Sequence, residues 1–117
     1  MNRLVIIMAA ALMICGCATN RPIYYWGNYA TLNYGSFTKP DEIPIEKQID
    51  LLELDIEKAK SKDLSVPPGN YAQLGYLYLE LGNLEEAVGA FETEMSLFPE
   101  SQVFIKRLLD SITSVEK

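Results

Sequence analysis

The stretch Pro68–Ser101 constrains the fold of this chain more than any other feature. Tyr71, Leu74, Gly75, Tyr78 and Leu81 recur at steps of three and four, which places them on one face of a first helix. Gly82-Asn83 then breaks the pattern: glycine takes the left-handed conformation that ends a helix. Asn83 can cap the next helix, with Glu86 three residues on to complete a capping-box pair. A second apolar face follows in Leu84, Ala87, Val88, Phe91, Met95 and Phe98. Pro99 stops it, because proline lacks the N–H and disfavours helix at the residue before it. The stretch therefore reads as a helix, a tight turn and a second helix.

These 34 residues resemble a tetratricopeptide repeat, whose pattern is a bulky aromatic, Leu-Gly, Tyr, a turn, then Ala, Phe and Pro at fixed offsets. Tyr71, Leu74, Gly75, Tyr78, Ala87, Phe91 and Pro99 occupy those offsets. Gly75 and Ala87 would let the helices approach closely, and Phe91 would fill the space between them. Glu94 stands where the repeat has a small residue. The repeat is a scaffold for many unrelated partners, so the likeness implies a fold rather than a function. One hairpin cannot bury its own apolar faces, so neighbours must come from the flanking chain or from a partner.

The chain begins with a different kind of segment. Arg3 is followed by an 11-residue apolar run, Leu4–Ile14, and by Cys15-Gly16-Cys17. This reads as a secretory signal peptide over residues 1–16. The apolar run falls short of the roughly 20 residues that span a bilayer. Ile14-Cys15-Gly16-Cys17 resembles a bacterial lipobox. That resemblance implies cleavage before Cys17, diacylglycerol and palmitate-type acylation on it, and effectively permanent attachment to a membrane. Ala18, rather than an aspartate, follows the cysteine; by the same resemblance this implies the periplasmic face of the outer membrane. A mature chain starting at Cys17 would carry 9 basic and 16 acidic side chains, a net charge of −7. Such a balance argues against nucleic acid or anionic lipid as the main partner.

Residues 17–43 form a lipidated, aromatic-rich segment in this reading. Tyr24, Tyr25, Trp26, Tyr29, Tyr34 and Phe37 crowd into it, and Gly27, Asn28, Asn33, Gly35 and Ser36 argue against a long helix. Three roles are open to the rings. They can fold back on the helical core with Trp26 as an anchor, form a docking strip for a partner, or lie as a belt at the bilayer surface. Residues 44–117 form the helical domain. Ile45, Ile49, Leu52, Ile56 and Ala59 repeat at four-three-four-three over 44–62. Asp41 and Glu42 before that helix, and Lys58, Lys60 and Lys62 at its end, suit the helix dipole. After Pro99, Phe104, Leu108, Ile112 and Val115 make one face of a last helix over 101–115, which would cover the flank of the repeat. The expected fold is all-α: a tetratricopeptide-like hairpin (70–81 and 84–98) between two flanking helices.

Reactive chemistry is sparse. There is no histidine, and an acylated Cys17 would leave the mature chain without a thiol. Neither catalytic pairs built on His or Cys nor the usual zinc ligand sets can be assembled. The chain has no phosphate-cradling glycine loop. The expectation is a non-enzyme with no cofactor and no metal. Between Lys62 and Lys106 there is no basic residue, while Glu85, Glu86, Glu92 and Glu94 fall on the second repeat helix. That makes its outer side acidic, a device for solubility or for selecting a basic partner.

The layout as a whole resembles domain-of-unknown-function family 4810. The residues that carry the likeness are the lipobox, Trp26-Gly27-Asn28-Tyr29, Val66-Pro67-Pro68-Gly69, Leu74-Gly75-Tyr76-Leu77-Tyr78 and Phe98-Pro99-Glu100-Ser101. The resemblance implies an outer-membrane lipoprotein acting beside other envelope lipoproteins, including ones similar to the curli-secretion-channel lipoprotein. The expected function is a non-catalytic adaptor, held by lipid on Cys17, that binds an envelope protein through Trp26, Tyr29, Tyr34, Tyr71 and Tyr78. The alternative is a structural or regulatory lipoprotein that binds peptidoglycan or a cell-wall synthase. A pocket lined by Trp26 and nearby tyrosines for a small molecule is a third possibility.

Overall fold

A computed structural model describes residues 2–13, 20–39 and 41–115, with side chains given for all of these except 10–13 and 115. Among the described residues the fold is all-α. The helices are α1 (Asn2–Met13), α2 (Tyr29–Thr38), α3 (Ile45–Ser61), α4 (Asn70–Glu80), α5 (Leu84–Leu97) and α6 (Gln102–Val115). A 3-10 turn, Pro99–Ser101, joins α5 to α6. The four helices expected after residue 44 lie within two residues of their expected ends. Helix α2 corrects the sequence reading, in which Asn, Gly and Ser speak against a long helix and for a short helical turn or an extended segment. Its Asn, Gly and Ser residues cost propensity, but one side of the helix packs on α3 through buried Leu32, and Ser36 Oγ donates to Leu32 O at 2.8 Å.

Helices α4 and α5 form the centre of the molecule. Gly82, at φ +77°, makes the turn between them in the left-handed conformation that glycine adopts cheaply. The expected capping box is absent: Asn83 makes no side-chain cap, and the turn is closed by backbone bonds, with Asn83 N donating to Tyr78 O at 2.9 Å. The close approach of the helices is steric. A Cβ on Gly75 would lie 2.8 Å from Phe91 Cε1, and Phe91 is fully buried.

Two apolar clusters flank this hairpin. One joins Leu32, Ile49, Leu52, Leu74, Leu77 and Ala90, uniting α2, α3, α4 and α5. The other joins Ala87, Phe91 and Ile105, uniting α5 with α6. Helix α6 therefore covers the flank as expected, with the expected Leu108 and Ile112 but with Ile105 in place of Phe104. Ile105 is fully buried beside Leu108, Leu109 and Ile112, whereas Phe104 is 67% exposed. Ile105, Leu108, Leu109 and Ile112 fall at steps of three, one and three, so the buried stripe is centred between the Leu108 and Leu109 positions rather than on Phe104. Leu81, expected on the apolar face of α4, is the exposed C-cap of that helix. The side chains Leu4–Met8 of α1 are all exposed, and no helix among the described residues is long and apolar enough to cross a membrane.

Candidate functional site

Chain from Ile23 to Asn28 is laid across the helical body by polar contacts that the sequence patterns do not announce. Asp55 lies on the buried stripe Gln48–Leu52–Asp55–Ala59 of α3 and is fully buried. Its carboxylate accepts from Asn28 N at 2.5 Å and from Asn28 Nδ2 at 3.0 Å. Gly27 sits directly against that carboxylate, where a Cβ would collide with it. Upstream, Tyr25 N donates to Ser65 O at 2.8 Å and Ser65 N donates to Ile23 O at 3.2 Å, a short parallel bridge. Lys62 Nζ stands 4.9 Å above the centre of the Tyr25 ring. A buried carboxylate is costly unless hydrogen-bond donors such as those of Asn28 surround it.

Glu94 is the second buried acid. It accepts from Gly69 N at 2.6 Å and from Ala72 N at 3.3 Å, so it satisfies free N–H groups at the start of α4. Burial outweighs these donors and raises its pKa above the usual carboxylate value. The sequence reading placed Glu94 on the acidic outer side of α5, and that placement is wrong. Glu85, Glu86 and Glu92 are exposed; Glu94 faces inward and ties α5 to α4.

The docked segment leaves a groove of about 270 Å³ against the body. Tyr24 lines one side; Ile56, Val66, Tyr71, Leu97 and Phe98 line the rest. Leu97 is 52% exposed although it belongs to the helical hairpin, so it offers apolar surface at the groove mouth. A larger and more polar cleft of about 500 Å³ lies between the α2–α3 connection and α4, with Asp41, Gln48, Gln73, Tyr76 and Glu80 on its walls. Hydrogen bonding to Glu80, and its charge, raise the pKa of Tyr76 there.

The five aromatic residues expected to bind a partner do not form one surface. Tyr71 lines the groove. Tyr29 is half-buried on the core cluster, and burial with the nearby Glu94 charge raises its pKa, as it does for Tyr71. Tyr78 is committed to the body: its hydroxyl donates to Glu53. Trp26 stacks on Tyr29 at 6.3 Å between ring centres and meets Tyr24 edge-on at 6.1 Å. It is half-exposed, so it is not the buried anchor that the fold-back reading required. Tyr34 is 72% exposed on the outer side of α2. Phe98 was read only as the end of an apolar face and Leu97 was not singled out, and nothing in their spacing marks them as groove walls. Cys17, the expected lipidation site, lies outside the described residues. Among the described residues no cluster of His, Cys, Asp or Glu could hold a metal ion.

The fold and the site thus define a class: an all-α domain with an aromatic N-terminal segment pinned across a helical hairpin. Residues 23–108 match the family described as Domain of unknown function (DUF4810), and the chain belongs to that family. The match begins at the pinned segment and ends within α6. No curated protein and no solved structure matches the chain.

Proposed function

We propose that this protein is a non-catalytic adaptor, anchored by lipid on Cys17 to the periplasmic face of the outer membrane, that binds an apolar side chain or short peptide of another envelope protein in the Tyr24–Tyr71–Leu97 groove. The single observation that carries the proposal is that groove. It is open, lined mainly by aromatic and aliphatic groups, and rimmed by Lys60 and Ser65. Half-exposed aromatics with a polar edge are what protein interfaces favour. The helical hairpin supports the reading as a tetratricopeptide-like unit: Gly75 against Phe91, Ala87 fully buried and Pro99 starting the terminating turn are its working parts. Glu94 is this chain's own variation, turning a packing position into a helix cap. The lipobox-like Ile14–Cys17 supports the anchor.

The test is affinity purification from detergent-solubilised envelopes, comparing the wild-type chain with Leu97→Asp. Leu97 is exposed, so the variant should fold, which its helical circular dichroism checks. A partner recovered with the wild type and lost with the variant supports the groove. An unchanged partner set, or sedimentation of the protein with purified peptidoglycan alone, refutes it.

A further inference from the structure

The docked segment has an outward side as well as a groove side, and the outward side is unusual. Ile23 is 73% exposed, Trp26 52%, Tyr34 72% and Phe37 83%. On α2, Ala30, Tyr34 and Phe37 fall at steps of four and three, and all are exposed, opposite buried Leu32. Trp26 stands just ahead of this stripe, held by the turn in which Tyr29 N donates to Trp26 O at 3.1 Å. These rings are fixed to the body: Asp55, Ser65 and Leu32 hold the chain beneath them.

Two further features say what the stripe meets. From Asn20 to Lys39 there is no acidic residue, in a chain with 16 of them; its charges are Arg21 and Lys39, the latter paired with Glu42 at 3.2 Å. The second feature is chain length. Ile23 lies six residues after Cys17 and Trp26 nine. An extended chain covers at most about 3.6 Å per residue, so Ile23 and Trp26, the near end of the stripe, are tethered within roughly 20 to 30 Å of that cysteine.

We infer that Ile23, Trp26, Tyr34 and Phe37 form a membrane-contact surface that sits in the headgroup region of a phospholipid bilayer and fixes the orientation of the helical body on it. The inference rests on the proposed anchor at Cys17. Trp and Tyr settle at that depth because their rings are apolar and their N–H or O–H tips stay wet. A single lipid attachment leaves the body free to tumble; a rigid aromatic stripe beside it does not. None of these four residues lines the Tyr24–Tyr71–Leu97 groove, and a fixed orientation would present it to a neighbour in the same membrane.

Trp26 is the chain's single tryptophan and reports directly. The protein is purified from envelopes, the mass of Cys17 is determined, and the protein is placed in vesicles of phosphatidylethanolamine with a minor share of phosphatidylglycerol. Emission is then read with lipids brominated at different depths. The expected result is a blue-shifted emission that loses most of its intensity to shallow bromines and little to deep ones. Tyr34→Ser with Phe37→Ser, both fully outward, should weaken the quenching while helical content stays unchanged. An unquenched Trp26 on protein that floats with the vesicles overturns the inference. So does a Trp26 that shifts only when solubilised envelope proteins are added, which makes the stripe a protein-docking surface. An unmodified Cys17 refutes the natural anchor alone; a Cys15→Ser protein coupled through Cys17 to a maleimide lipid then decides the stripe by the same quenching.

Discussion

Three residues at the helix contacts carry unequal shares of the stability. Glu94 satisfies Gly69 N and Ala72 N from inside the fold. Glu94→Ala strands both donors, and a stranded buried donor costs about 1 to 3 kcal/mol, so the variant should lose about 3 kcal/mol in chemical denaturation. Glu94→Gln keeps one acceptor oxygen and should lose about half as much. Gly75→Ala places a methyl 2.8 Å from a Phe91 ring that has no room to move, an overpacking worth about 1 to 3 kcal/mol. Tyr78 gives the chain an alkaline limit. Its hydroxyl donates to Glu53, and that bond, with partial burial and the charges of Glu53, Glu86 and Asp50, raises its pKa from 10.0 to about 12. Between those values the unfolded chain has lost the proton and the folded chain retains it, so stability falls as pH rises through the window. Tyr29, Tyr71 and Tyr76 are shifted in the same direction. Melting temperature should therefore drop above pH 10, and Tyr78→Phe should make that drop shallower without removing it.

The elements divide into those that periodicity dictates and those that polar contacts dictate. Helices α3 to α6 were legible because each buries a stripe at helical spacing; the expected Ile49, Leu52, Leu74, Ala87 and Phe91 are in the core, and Leu108 and Ile112 pack on it. Helix α2 was not legible. Its buried side is little more than Leu32 with half of Tyr29, too narrow a stripe to outweigh Asn, Gly and Ser in a linear reading. The path of residues 23–28 depends on Asp55; helical spacing puts that acid between Leu52 and Ala59 on the buried stripe, but nothing local names Asn28 as its partner. The groove was legible only in part for the same reason. Tyr71 has a pattern position, but Tyr24 reaches the groove only because Asn28 and Ser65 pin the chain beside it. Asp55→Ala tests this division. It removes two hydrogen bonds to a carboxylate, and amide exchange should accelerate over residues 23–38. Exchange in α4 and α5 should change little. Equal acceleration throughout would mean that the segment and the hairpin form a single cooperative unit.

At the scale of the whole molecule, the parts fall into separate duties. The hairpin α4–α5 with α3 and α6 supplies the core. The segment 23–38 supplies one wall of the groove and an outward aromatic stripe. The acids of α5 that remain exposed, Glu85, Glu86 and Glu92, lie in a stretch without basic residues from Lys62 to Lys106. In the proposed adaptor role a partner would meet apolar surface at Leu97 and Phe98, with an acidic helix running away from it, and Glu92→Lys should lower the association rate at low salt more than it raises the dissociation rate. The adaptor role is tested most directly by placing a photo-reactive amino acid at Leu97 and irradiating intact cells, with the same residue at exposed Glu85 as the control. A discrete crosslinked product containing one other envelope protein, formed from position 97 and abolished by Tyr71→Ala, is the result the groove predicts. Products confined to the chain itself, or the same products from both positions, would contradict it.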